Sequence, residues 1–136
     1  MLGIFKKHSY QGTYTGDVRN DMAHGFGKLE FKDGSNYEGG FLFDEFHGGG
    51  KFTFSDGGFI EGKWTNGYFY EGVRMFKNGD KYEGEFLTTR EDSGQFQVFM
   101  HGKGMLYRYE EGKWFSGFWK DDDLEESVDD WDVGDI

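Results

Sequence analysis

Residues 37–57 read YEGGFLFDEFHGGGKFTFSDG, with glycines set directly between rings and little else but a few charges. The residue with the most backbone freedom is placed against the bulkiest side chains repeatedly, and that opposition needs a physical reason. The spacing recurs along the chain. An aromatic or aliphatic residue followed two positions later by glycine occurs at Tyr14 and Gly16, Tyr37 and Gly39, Ile60 and Gly62, Tyr82 and Gly84, and Phe115 and Gly117, with glycine spacings of 23, 23, 22 and 33. A second glycine follows at Gly27, Gly50, Gly72 and Gly104, and a third in Asp33-Gly34, Asp56-Gly57, Asn78-Gly79 and Glu111-Gly112. Five registers in agreement define a tandem repeat.

Each unit reads as a β-hairpin. YEGGF and GKFTF alternate large with small or polar residues at period two, and the Asp-Gly or Asn-Gly between units is a strong hairpin signal. Residues 10–120 show no helical periodicity, and the absence of proline suits a chain whose ladder N–H groups are needed throughout. Positions 37, 39 and 41 share one sheet face, so Gly39 leaves a slot in which a ring from a neighbouring strand can lie flat on backbone. Two strands at ~4.8 Å advance the sheet by ~10 Å per unit, or ~50 Å over five units, giving a twisted, trough-like ribbon.

These residues carry a family resemblance. The stretch resembles a MORN repeat (membrane occupation and recognition nexus), with Tyr-Glu-Gly-x-Phe, then His-Gly-x-Gly, then Asp-Gly. Residues 14–36 and 37–59 match best, 60–81 lacks the His, and 82–114 holds about nine extra residues around TTREDSGQF. Residues 1–13 and 115–120 look like partial repeats. The resemblance covers about four-fifths of the chain and implies an all-β solenoid, an elongated single antiparallel sheet of successive β-hairpins over residues 1–120, with an interaction role. The extra stretch is expected to be a protruding loop or an extended hairpin tip whose removal, over residues 88–94, leaves melting nearly unchanged.

Composition sets outer limits. The 136 residues make one domain, and its 14 Leu, Ile and Val are outnumbered by its aromatics, so the core is thin and built of rings. There is no cysteine, which excludes disulfides and thiolate metal sites. No secretory signal or membrane-spanning run is present, so a soluble, cytoplasmic protein is expected. Of the net charge of −11, nine acidic residues fall in the tail, residues 121–136 (DDDLEESVDDWDVGDI), leaving residues 1–120 with 17 acidic and 15 basic side chains. Neither part offers the basic stripe that nucleic acid requires. Leu124, Val128 and Trp131 fall at i, i+4 and i+7, which predicts a short C-terminal amphipathic helix; a disordered tail is the other reading. The helix would cover the last hairpin near Trp114 and Trp119, or enter the trough of another copy and make a homodimer.

Chemistry-bearing motifs have structural readings. His24, His47 and His101 recur one per unit, ~10 Å apart, too far for two to share a zinc at ~2 Å each, so a turn role is expected. FHGGGKFT fails the Walker spacing, with Phe52 where Ser or Thr belongs. Glu38, Glu61 and Glu83 read as a solvated strand face rather than a catalytic pair, and the tail lacks the glycine and register of an EF-hand. No serine sits in a nucleophile elbow. The reading is therefore a non-enzymatic module with no cofactor and no metal. It binds a protein or peptide partner, a helix or another copy of itself, through an aromatic and glycine trough. Tyr37, Phe41, Phe54, Trp64, Phe76, Tyr82, Phe86, Leu124 and Trp131 are the expected partner-binding residues. Association with membrane lipid is the alternative, disfavoured by the lack of a basic surface, and an accessory role beside a catalytic domain stands third.

Overall fold

The computed structural model describes residues 2–7, as backbone, 12–92 and 95–128. Among these residues eleven strands run in chain order: β1 (Leu2–Lys7), β2 (Gly12–Arg19), β3 (Met22–Phe31), β4 (Asn36–Leu42), β5 (Glu45–Thr53), β6 (Phe59–Thr65), β7 (Tyr68–Met75), β8 (Lys81–Arg90), β9 (Phe96–Arg108), β10 (Lys113–Lys120) and β11 (Asp123–Ser127). They form one antiparallel meander in which each strand pairs with its sequence neighbours, and the described residues contain no helix. The expected single sheet of successive hairpins is therefore the fold.

Register explains the glycines. Gly3 pairs with Gly16, Gly16 with Gly27, Gly27 with Gly39, Gly39 with Gly50, Gly50 with Gly62, Gly62 with Gly72, Gly72 with Gly84, Gly84 with Gly104, and Gly104 with Gly117. This row crosses the sheet from β1 to β10 without a side chain. Tyrosines fill the channel it leaves. A Cβ at Gly50 would overlap the Tyr37 ring, as one at Gly27 would overlap Tyr14 and one at Gly104 would overlap Tyr82. Each of these hydroxyls crosses the row and donates to a carbonyl three residues on: Tyr14 to Asp17 (2.7 Å), Tyr37 to Gly40 (2.9 Å) and Tyr82 to Glu85 (2.9 Å). Gly39 has φ +157°, closed to other residues, and a register shift follows between Gly39 and Phe41. Such bulges recur in the other hairpins and bend the sheet toward the tyrosine face.

Two kinds of turn alternate. Between repeats, the Asp33, Asp56 and Asn78 side chains accept from the backbone N–H two residues on, and Phe31, Phe54 and Phe76 close each turn with paired backbone hydrogen bonds. These are the Asp-Gly and Asn-Gly turns expected from sequence. Within repeats, Asn20-Asp21, Phe43-Asp44, Asn66-Gly67 and Asp121-Asp122 hold positive φ at both positions, as a type I′ turn requires. Hairpin tips then bond to the preceding repeat. The Asp44 N–H donates to the Ala23 carbonyl (3.0 Å) while its carboxylate accepts from the Ala23 N–H (2.7 Å), and Asp122 does the same to Met100 (3.0 and 2.7 Å).

One expectation changes, and another narrows to one of its two alternatives. The segment after residue 120 forms no helix over its described part; Leu124 sits in β11, where it pairs with Trp119 and packs on the core. The open edge of β10 offers a ladder of hydrogen bonds that a short helix dense in like charges cannot match. Trp131 lies outside the described residues, and Val128 follows β11 with its N–H bonded to the Ser116 carbonyl (2.8 Å). The insertion, for its part, is an extended hairpin, with Leu87 to Arg90 paired against Phe99 to Phe96. It is not free. Thr88 is buried and exchanges hydrogen bonds with Phe69 (3.0 and 2.6 Å), and Phe96 packs edge-on against Phe52 and Trp64, 4.9 and 6.0 Å between ring centres.

Candidate functional site

The tyrosine face is the inner face of the bent sheet, and its rings interlock. Tyr37 stacks on Phe46 at 3.8 Å and meets Phe41 and Trp64 edge-on, at 5.2 and 5.3 Å. The Trp64 indole N–H donates to the Gly50 carbonyl (3.0 Å), as Trp119 does to Gly104 (3.0 Å). Of the residues expected to bind a partner, Tyr37, Phe41, Trp64, Tyr82 and Phe86 are thus buried core, with Tyr37 and Tyr82 at 0% exposure and no surface to offer. Phe54, Phe76 and Leu124 are half-buried against that core.

The trough is closed in the middle by the protein's own β8–β9 tip. A cleft of about 710 Å³ remains open beside it. Its floor is Phe31, Phe46, Phe52, Phe54 and Phe96; one wall is the turn of Lys32, Asp33 and Ser35, and the other the hairpin tip, with Thr89 to Glu91, Gln95 and Gln97. The rings come from two repeats plus the insertion, so no single repeat contains the cleft. Arg90 spans it from the tip, pairing with Glu45 (3.1 Å) and donating to the Asn66 carbonyl (3.2 Å). The Ser35 hydroxyl and N–H bond to Asp33 (2.5 and 2.8 Å) and hold its carboxyl below the usual range. An apolar floor inside a charged rim accepts an amphipathic segment, with rings below and polar groups at the edge.

Other candidate groups resolve into structure. Glu38 lies between Lys28 and Lys51, and Lys51 between Glu38 and Glu61, an alternating ladder on the outer face. Glu83 continues the row but faces Val73 and Met105 and pairs with Lys81 (2.8 Å). His47 accepts from the Asn66 N–H (3.2 Å), His24 rests edge-on against Phe43 (5.4 Å), and His101 lies 3.7 Å from Asp121. Among the described residues no group of three acidic or histidine side chains is placed to hold a metal, and no helix is long and apolar enough to cross a membrane.

Sequence reasoning missed Phe96, the hairpin as a wall of the cleft, and Arg74. The last was readable by aligning the second strands on their glycine, which sets Arg74 where the other repeats carry Leu29, Phe52 and Leu106. Phe96 gave no signal, because an insertion has no counterpart in the repeat. A family model of the MORN repeat matches residues 14–36 and 37–59. A comparison with curated proteins finds no match.

Proposed function

Because this chain is a MORN-repeat protein, and such repeats are generally associated with protein and membrane interaction, we propose that it is a non-catalytic module binding a peptide or helix in the inner-face cleft. The carrying observation is the 710 Å³ cleft with a phenylalanine floor and a charged rim, open beside a face whose tyrosines and Trp64 are packed as core. Binding there orders few groups on the protein side, since the floor rings are already fixed by each other. Lipid association is the weaker reading, because the outer face presents alternating Lys and Glu rather than a basic patch.

Peptide display against the full chain tests this. Selected peptides should lose at least about tenfold in affinity when a bulky group fills the cleft, as in Ser55→Trp or Gln97→Trp, both at exposed cleft positions. Binders indifferent to both substitutions would place the binding surface elsewhere.

A further inference from the structure

Arg74 occupies a position built for an apolar side chain. It pairs with Ile60 on one side and Tyr82 on the other, in the same row as Phe52 and Leu106. Its guanidinium carbon lies 4.9 Å from the centre of the Phe54 ring and 4.6 Å from that of Phe76. One Nη donates to the Val98 carbonyl (3.1 Å), while Nε is buried and has no acceptor. Among the described residues no carboxylate forms an ion pair with it. Desolvation by burial lowers its pKa, opposed by the Asp122 and Asp56 charges, which act on it without an ion-pair contact.

Folding alone gives no account of this choice. A leucine, as at positions 29 and 106, would fill the row without a charge, whereas a partly buried cation whose carboxylates, Asp122 and Asp56, stand off without an ion pair is destabilising. Two aromatic faces and one carbonyl offset that cost only in part. Arg90 shows the contrast, since its counter-ion Glu45 is supplied from within the chain.

We propose that Arg74 is the carboxylate receptor of the binding face: the peptide partner carries an Asp or Glu that pairs with the guanidinium between Phe54 and Phe76. The inference rests on the cleft reading above. Phe54 borders both the cleft and Arg74, so a segment lying on the phenylalanine floor reaches the guanidinium as it leaves the cleft. Arginine suits the task because its planar fork engages both oxygens of a carboxylate and stays charged when partly buried.

The test selects displayed peptides against the full chain and against Arg74→Leu, with Ser55→Trp used on both pools to confirm binding in the cleft. Wild-type binders should fix an acidic residue at one position that Arg74→Leu binders lack. Replacing that Glu by Gln should weaken binding to wild type at least about tenfold and leave binding to Arg74→Leu nearly unchanged. Cleft-binding pools with the same consensus from both proteins would overturn the assignment, even if Arg74→Leu shifts the melting temperature, since that is the signature of a merely structural arginine. Pools insensitive to Ser55→Trp would instead sink the cleft reading, and the receptor with it.

Discussion

At Gly50 the backbone φ is unexceptional, yet a methyl group there would overlap the Tyr37 ring. At Gly57 φ is +96° and nothing lies within 4 Å of an added Cβ. The two glycines therefore serve different purposes, and substitution separates them. Gly50→Ala should cost about 3 kcal/mol, the upper range for overpacking; Gly57→Ala should cost about 1 kcal/mol, from strain alone. Denaturant melts of both variants check this. The tyrosines that cover the row supply a second prediction. Burial, with the Asp17 and Asp44 charges behind it, pushes the Tyr14 hydroxyl up to about 12, and burial raises Tyr37 and Tyr82 as well. A group whose folded pKa is raised stabilises the fold fully below its unfolded pKa of ~10 and ceases to as pH rises through the folded value. Stability should hold to about pH 10 and then fall, with these three phenolates appearing only as the protein unfolds. Phenolate absorbance rising before the fold is lost would contradict it. The slot for a ring was legible in Tyr37, Gly39 and Phe41. The unbroken row was not, because pairing of Gly39 with Gly50 depends on strand register across the turn.

Hairpins show where local reading gave way to packing. TTREDSGQF is polar enough to read as a protruding loop or hairpin tip that adds little to stability, yet β8 and β9 carry Thr88 and Phe96 down onto neighbouring repeats. Phe96→Ala should destabilise the protein by about 3 kcal/mol or more, a core-sized loss from an insertion. A change near zero in thermal melting would restore that reading. At the C-terminal edge, period i, i+4, i+7 suggested a helix, but β10 offers backbone partners and Asp122 anchors the turn to Met100. Asp122→Gly relieves the positive φ while deleting that carboxylate, and should still lower stability by about 2 kcal/mol. Local sequence could not reveal this because Met100 lies 22 residues away. The type I′ turn at Phe43-Asp44 is illegible locally for a related reason, since Phe43, 61% exposed at φ 47°, is not a turn-forming residue.

Over the whole molecule, repetition builds a sheet and one departure from repetition makes it specific. The rings expected to line an open trough instead close most of the inner face as core, because a sheet of this composition has few other apolar groups to bury. The inserted hairpin covers the middle, and the cleft lies where it fails to meet the turn of Lys32 to Ser35. The repeat pattern could predict the sheet but not the cleft, since half of the cleft's walls come from residues outside the pattern. The most direct test is the affinity of a display-selected peptide for the folded Ser55→Trp variant. We expect at least about a tenfold loss with the melting temperature held within a few degrees, because an exposed turn residue adds little to stability. Full affinity with the cleft filled would contradict the account.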